Sequence, residues 1–244
     1  MRFDAVFFDS GGTVWHAAAA GSVPPGTSSE EVRARRFRRV ALALTGLGYT
    51  SGEDGIERAI IALEGVCPRR VGPTFTYIDL MLAAGRELGL PLQTEDALIL
   101  ADAYVGPRYR SWLFPGTVET LRTLAEAGVY LGMISTTYIP GYAMDRLLRG
   151  VGLLRYLKTR IYSGDEGVDK PDPRIFTLAA DRAGVAGKRL LYVGNSVEHD
   201  IAGARGAGWA AALKRSSVPT SGGLADFEFD ETPELVGFVL DGAK

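Results

Sequence analysis

Reactive side chains in this sequence come at the ends of apolar, strand-like segments. Asp9, Ser135 and Asn195 each end or directly follow such a segment, and Asp200 comes shortly after the last one. Lys170 precedes a rigid proline turn between the second and the third segment. Because ligands of an open parallel sheet bind at the carboxyl ends of its strands, we expect these five side chains to converge. The sequence therefore predicts one site that holds carboxylates, a hydroxyl, an amide and an ammonium group.

Each of these residues, taken alone, is also typical of ordinary structure. An Asp before two glycines is a common turn, and a Ser after a strand is a common helix N-cap. Lys170 lies before Pro171 and Pro173, and the second of these prolines can begin a helix. Their combination, in this order and each near a strand end, favours a functional site.

Four segments resemble the four motifs of the haloacid dehalogenase-like (HAD) hydrolase superfamily. They are residues 7–13 with the leading Asp9, residues 134–135, residues 170–173 with Phe176, and residues 193–200 with Gly203 and Ala204. Their order and separations fit that family. The resemblance covers residues 1–16 and 113–215, and it implies a hydrolase with a helical cap.

The resemblance implies an aspartyl mechanism. Asp9 would attack a phosphoryl group or a carbon centre, and water would then hydrolyse the covalent intermediate. Ser135 would help to hold the oxygens that gain charge, and Lys170 would balance the charge of Asp9 and stabilise the transition state. The other groups implied in binding these oxygens are the backbone N–H groups at Gly11, Gly12, Thr13 and Thr136.

A magnesium site is also implied, although this sequence departs from the usual ligands. In phosphatases of the family, Mg²⁺ binds the nucleophile, the carbonyl two residues later and an acid of the fourth motif. The corresponding positions here are Asp9, Gly11 and Asn195, with Asp200 further on. Asn195 replaces an acid, and hard cations prefer carboxylates. We therefore expect Mg²⁺ to bind weakly or not at all.

Gly11 stands where phosphatases of the family have a second Asp, which serves as general acid and base. General acid–base catalysis is typically worth about 10²–10⁴-fold in rate, and glycine supplies none of it. Three interpretations stay open. The first is a phosphatase acting on a phosphate ester or anhydride, in which water, His16 or a cap residue replaces the acid. The second is a dehalogenase-like or phosphonatase-like hydrolase that does not need the acid, and the third is a catalytically inactive binding or interaction protein.

Two kinds of apolar spacing predict the domain organisation. Strand-like segments at residues 5–8, 129–135, 189–194 and 209–213 alternate with helical patterns, which predicts an α/β fold with a doubly wound, Rossmann-like parallel sheet. Between the first two of these strands, four stretches have helical spacing. We predict a HAD core domain formed by residues 1–16 and 113–244, and an inserted helical cap domain formed by residues 17–112. The predicted cap helices are residues 30–46, 53–65, 76–88 and 95–104.

A basic run, Arg33 to Arg39, lies on the first predicted cap helix. Arginine forks suit carboxylates and phosphates, although such a run is more commonly a solvated helix face. Phe37, Val40 and Leu44 follow helical spacing and predict the buried stripe of this helix. Aromatic residues that could line an apolar pocket are Tyr77, Tyr104, Tyr109 and Trp112.

Composition and charge narrow the class of partner. The 244 residues are 46% hydrophobic, and their formal net charge of −2 gives no general attraction to nucleic acid or to anionic lipid. No apolar run reaches the roughly 20 residues of a membrane-spanning helix, and no signal sequence is recognisable. We expect a cytoplasmic monomer or homodimer that acts on a small-molecule substrate, with no nucleic-acid or membrane partner.

Overall fold

A parallel sheet forms the centre of the protein in a computed structural model, which describes residues 1–17, 23–52, 54–216 and 218–241. Its strands are β1 (Ala5–Phe8), β2 (Tyr130–Ser135), β3 (Thr159–Tyr162), β4 (Leu190–Gly194), β5 (Ala210–Lys214) and β6 (Phe227–Phe229). The strand order is β3-β2-β1-β4-β5-β6, and these pairings are parallel. All four residues of β1 are buried between β2 and β4, which explains its continuous apolar run.

A helical unit follows β1 in the chain. Its helices are α1 (Ser29–Gly46), α2 (Gly55–Glu64), α3 (Cys67–Val71), α4 (Tyr77–Glu87) and α5 (Thr94–Val105). They share a hydrophobic cluster of their own, and the predicted stripe of Phe37, Val40 and Leu44 is buried in it. This unit has the position that we expect for an inserted cap. Its limits at residues 17 and 112 stay a prediction.

Helices of the core pack on both faces of the sheet. They are α6 (Thr117–Glu126), α7 (Gly141–Val151), α8 (Ser163–Glu166), α9 (Pro173–Ala183), α10 (Ala202–Gly206) and α11 (Glu234–Leu240). Val6 and Phe8 of β1 belong to one core cluster, and Ala5 and Phe7 belong to the other. Because strand side chains alternate between faces, this division is that of a doubly wound sheet. The predicted α/β fold class is confirmed.

Four elements of the core are not predicted by the apolar patterns. These are the edge strands β3 and β6 and the helices α8 and α11. In β3, the charged residue Arg160 interrupts the apolar run. Its guanidinium group forms an ion pair with Asp145 at 2.8 Å. The backbone of this strand nevertheless pairs with β2. An edge strand with a charged residue therefore gives little sequence signal.

Hydrogen bonds join helix α7 of the core to helix α5. Arg146 donates from Nε to Asp102 Oδ1 at 2.7 Å and from Nη2 to the carbonyl oxygen of Gly106 at 3.0 Å. One helical turn earlier, the Tyr142 hydroxyl donates to the carbonyl oxygen of Leu98 at 2.7 Å. The last helix of the unit is thus held against the core. None of the described helices combines the length and the apolar character that crossing a bilayer requires.

Candidate active site

Asp9 lies at the carboxyl end of β1, at a cavity of about 380 Å³. Its backbone N–H donates to the carbonyl oxygen of Val193 at 2.8 Å, which fixes the residue to the end of β4. Its side chain is 10% exposed, so the carboxylate is mostly desolvated but still reachable. A cavity of this size suits a small organic molecule. Parallel pairing of β1 with its neighbours places the nucleophile candidate where loops from several strands meet.

Lys170 places an ammonium group beside Asp9, and three buried acceptors use its hydrogen-bond donors. Nζ donates to Asp9 Oδ1 at 2.7 Å, to Asp200 Oδ1 at 2.5 Å and to the Tyr192 hydroxyl at 2.8 Å. An ammonium group has three N–H donors, so each is used. The Tyr192 hydroxyl in turn donates to the carbonyl oxygen of Ile134 at 2.6 Å. This network holds the lysine in one position beside the carboxylate.

Tyr192 is a site residue that the sequence patterns do not single out. It stands in the apolar run of β4, where an aromatic residue is expected in the core. The available signal is its hydroxyl, because a buried tyrosine needs a hydrogen-bond partner.

Asp200 orders the loop after β4 and carries the second negative charge. Its Oδ2 accepts from the backbone N–H groups of Asn195 at 3.0 Å and of Ser196 at 2.9 Å. The segment Val197–Ile201 is wound as a π-helix, and Asp200 is 2% exposed. Both of its carboxylate oxygens are therefore used inside the protein.

Burial and charge act in opposite directions on the two main groups. Burial raises the pKa of Asp9 to about 6, although the adjacent Lys170 favours the ionised carboxylate. Burial opposes the charge on Lys170, but the carboxylates of Asp200 and Asp9 outweigh it and raise the pKa of the ammonium group. Lys170 is therefore a cation at neutral pH. Asp9 is predominantly an anion there, with protonation within reach of mildly acidic conditions.

Ser135 lies beside the nucleophile loop, with its hydroxyl 2.8 Å from that of Ser10. Ser135 is 1% exposed, whereas Ser10 and Thr136 line the cavity. The Thr136 hydroxyl accepts from the backbone N–H of Lys170 at 3.2 Å. The structure thus brings Ser135 to the site, while a direct contact with substrate stays a prediction. Ser10 is a further candidate that the motif comparison leaves out.

The turn after Asp9 is fitted to Asn195. The Thr13 hydroxyl lies 3.4 Å from Asp9 Oδ2 and 3.2 Å from Asn195 Oδ1, so it can donate to either. Gly12 has a φ of 85°, and a Cβ there would lie 2.5 Å from Nδ2 of Asn195. A side chain at residue 12 is therefore disfavoured both by the backbone conformation and by the contact with Asn195. Gly11 lines the cavity and brings no side chain to it.

The four predicted metal-site residues, Asp9, Gly11, Asn195 and Asp200, do not fit a magnesium ion well. Both oxygens of Asp200 bind groups of the protein, and Asn195 offers a neutral oxygen that lies within hydrogen-bond reach of Thr13. Across the described residues, no three His, Cys, Asp or Glu side chains are grouped to hold a metal. A hard divalent cation prefers several carboxylates, and here it would meet chiefly Asp9. We therefore assign no step to a metal ion.

His16 is not placed to serve as the missing acid. It lies in a second cavity of about 300 Å³ with Lys214, and it does not line the cavity of Asp9. Its ring packs on Phe114 with the centroids 4.1 Å apart. Burial, with a smaller contribution from Lys214, lowers the pKa of His16. The structure therefore separates this histidine from the nucleophile.

The helical unit and the segment after α5 also line the cavity of Asp9. They contribute Tyr77 and two arginines, Arg36 and Arg108. The basic run of α1 is thus divided, because Arg36 faces the cavity whereas Arg35 pairs with Glu31 on the surface.

This chain is similar to known proteins over most of its length. The model of the haloacid dehalogenase-like hydrolase family matches residues 3–208. The protein is a haloacid dehalogenase-like hydrolase. This HAD hydrolase is 28% identical over 248 residues to a glyceraldehyde 3-phosphate phosphatase of Methanopyrus kandleri, and the match covers 98% of each chain. It is 34% identical over 114 residues to a phosphoserine phosphatase of Thermus thermophilus, a match that covers 47% of this chain and 45% of the other.

Solved structures share the fold of this HAD hydrolase over nearly its whole length. A 2-haloacid dehalogenase of Pseudomonas syringae has a TM-score of 0.66 at 20% identity, with 97% of this chain and 98% of that chain covered. A HAD phosphatase of Thermococcus onnurineus has a TM-score of 0.59 at 23% identity, with the same coverage. The fold and the family predicted from the four motifs are confirmed.

Proposed function

We propose that this HAD hydrolase is a phosphatase for a small organic phosphate and that Asp9 is its nucleophile. The proposal rests on one observation. The Asp9 carboxylate stands at a ligand-sized cavity with Lys170 fixed 2.7 Å from one of its oxygens. Similarity over the full chain to a relative named as a phosphatase supports the phosphoryl class. We further propose that the enzyme acts in the cytoplasm as a monomer or homodimer.

In the proposed reaction, Asp9 attacks phosphorus with Oδ2, because Oδ1 is held by Lys170. The bond from phosphorus to the leaving oxygen breaks, and an aspartyl phosphate forms. Water then attacks this phosphate, which releases inorganic phosphate and restores the carboxylate. Backbone N–H groups at Gly11 and Thr136 are the candidates to bind the phosphoryl oxygens, together with the Ser10 hydroxyl.

Gly11 determines which substrates react fastest. With no carboxylic acid at residue 11, the leaving oxygen must take its proton from water or depart as an anion. Leaving groups that are stable as anions, such as those of acyl, enol and aryl phosphates, are therefore favoured over simple alkoxides.

A series of phosphate monoesters and acyl phosphates with graded leaving-group pKa tests the proposal. We expect kcat/KM to rise steeply as the leaving-group pKa falls, with the Asp9→Asn variant inactive throughout. Turnover with and without EDTA shows whether Mg²⁺ contributes, and we expect at most a small loss with the chelator. A wild-type protein that hydrolyses no member of the series would refute the phosphatase proposal.

A second candidate function is hydrolysis at carbon with release of halide. It is favoured by the absence of an acid at Gly11 and by the poor fit of the site to Mg²⁺. Here Asp9 would displace halide from carbon and form an ester, which water would cleave, and the halide would need no proton. Release of halide from 2-haloacids in the presence of EDTA, absent in Asp9→Asn, would select this function over the first.

A further inference from the structure

A recess lined by arginines adjoins the cavity of Asp9 on the side of the helical unit. It measures about 220 Å³ and is lined by Arg35, Arg36, Arg39 and Arg108, with no Asp or Glu among its described lining residues. Arg36 and Arg108 line both this recess and the cavity of Asp9, so they stand at the boundary between the two. We refer to it as the arginine recess.

Two of these arginines are occupied within the protein. Arg35 pairs with Glu31 on the exposed side of α1. Arg39 donates from Nε to the carbonyl oxygen of Ala103 at 2.9 Å and from Nη2 to that of Tyr104 at 3.4 Å. Arg39 thereby satisfies carbonyl groups at the end of α5, which is a structural role.

The other two arginines keep unused hydrogen-bonding capacity. Arg36 donates to the Tyr104 hydroxyl at 3.2 Å, and Arg108 donates from Nη1 to the carbonyl oxygen of Val105 at 3.3 Å. The Nε atom of Arg108 is buried and has no partner in the described part of the chain. Within those same residues, neither guanidinium has a carboxylate at ion-pair distance. A guanidinium has five N–H donors, so both groups can still bind an acceptor.

The two cations also disfavour each other. Burial lowers the pKa of Arg108 to about 10, and the charge of Arg36 adds to this effect. Arg108 is still a cation at neutral pH, but it is held in a desolvated position beside a second cation. A bound anion would remove this repulsion and supply the missing acceptors.

We propose that the arginine recess binds a second anionic group, a carboxylate or a phosphate, on the same molecule whose phosphoryl group reaches Asp9. This inference rests on the proposed function and specifies its substrate class. The substrates are small molecules that carry the phosphoryl group at one end and a second acidic group, a carboxylate or a phosphate, at the other. A phosphate ester that lacks the second group would leave two partly buried guanidinium groups without an acceptor, and it would be selected against.

Binding of inert phosphonates tests the inference without any turnover. The probes are ω-phosphonocarboxylates with two to five carbons, compared with alkylphosphonates of equal length, by titration calorimetry on the wild-type protein. Bisphosphonates of the same lengths distinguish a phosphate from a carboxylate as the second group. At the best length we expect the doubly acidic probe to bind at least about tenfold more tightly than its alkyl partner, as one charge-assisted pair suggests.

Arg36→Gln and Arg108→Gln should each abolish this preference, so that each doubly acidic probe binds no more tightly than the alkylphosphonate of equal length. Arg35→Gln is the matched control from the same helix, and it should keep the preference. Since Arg108 is partly buried, thermal unfolding checks its variant, and Arg36→Gln serves if that variant does not fold. No preference at any length, no measurable binding of any doubly acidic probe, or equal loss in Arg35→Gln would overturn the inference.

This experiment separates the inference from the proposed function. If the wild-type protein prefers doubly acidic probes but hydrolyses no phosphate ester, the anion site is supported and the phosphatase function is refuted. If it hydrolyses esters with and without a second acid equally well and shows no binding preference, the phosphatase function is supported and the anion site is refuted.

Discussion

Lys170 Nζ lies 2.7 Å from Oδ1 of Asp9 and neutralises only part of the negative charge around it, because it is shared with Asp200 at 2.5 Å. One buried cation thus serves two buried carboxylates. Charged groups out of water are tolerated when they are paired and hydrogen-bonded, and all three groups meet that condition. The nucleophile candidate is therefore kept ionised at neutral pH in a site that would otherwise protonate it.

Replacement of Lys170 should cost much stability. In Lys170→Met, Asp9 and Asp200 would face each other without a cation, and loss of one partner from a buried ion pair costs about 3–5 kcal/mol. The loss should be smaller at pH 5 than at pH 8, because protonation of a carboxylate relieves the repulsion. Denaturant unfolding at both pH values measures this difference. Lys188→Met, at an exposed position, is the control and should change the free energy of unfolding by no more than about 0.5 kcal/mol.

The pH dependence of turnover should report the Asp9 carboxylate. Burial raises its pKa to about 6, and only the deprotonated form can attack. We therefore expect kcat/KM to increase between pH 5 and pH 7 and then to level off. The measurement needs a substrate whose own ionisation lies outside this range. A rate that stays constant from pH 5 to pH 8 would contradict the assignment of Asp9 as an ionised nucleophile.

Restoring an acid at residue 11 should increase phosphatase activity. Gly11→Asp places a carboxyl group at the cavity, and general acid–base help is worth about 10²–10⁴-fold when well positioned. We expect at least about a tenfold gain with an alkyl phosphate and little gain with an acyl phosphate, whose leaving group needs no proton. Gly11→Asn is the control of equal size and should give no gain. An equal effect of Asp and Asn would show that the shape of the turn, rather than the acid, limits the rate.

Alanine substitutions at two glycines with the same φ can distinguish the cost of backbone strain from the cost of a steric clash. Gly12 and Gly128 both have a φ of 85°, but a Cβ at Gly128 meets nothing within 4 Å, whereas one at Gly12 meets Asn195 at 2.5 Å. We expect Gly128→Ala to cost about 1 kcal/mol, as for a residue in the left-handed region. Gly12→Ala should cost clearly more in the same denaturant titration, and it should reduce activity by displacing Asn195. An equal loss in the free energy of unfolding for both variants would mean that Asn195 and the loop after β4 can move away from the added methyl group at no energetic cost.

Much of the fold follows from the sequence because the central strands carry their signal locally. The runs that form β1 and β4 are buried on both faces, so they are continuously apolar and end at polar residues. The edge strands lack this signal, since Arg160 in β3 and Glu228 in β6 interrupt the pattern. Their place in the sheet depends on backbone pairing with a neighbour, which a single sequence does not encode.

The site could be predicted less completely than the fold. Asp9 and Lys170 are far apart in the chain, and the motif order indicates that they meet, as they do at 2.7 Å. Tyr192 could not be singled out, because an aromatic residue in a buried strand is expected to pack in the core. Its role depends on hydrogen bonds of its hydroxyl to Lys170 and Ile134, which are distant in the chain. Arg108 could not be assigned either, since it becomes a cavity residue only through the packing of the helical unit against the core.

The ion pair between Arg146 and Asp102 would have to open if α5 moved away from the core. Both side chains are more than one-third exposed, so dissolved ions reach and weaken their attraction. Helix α5, whose last residue lines the cavity, is held against the core by this ion pair and by the hydrogen bond of the Tyr142 hydroxyl. A movement of α5 that opens the cavity must break these contacts. Entry and exit by that route should therefore quicken in concentrated salt, even where the chemistry at the floor of the cavity is unaffected.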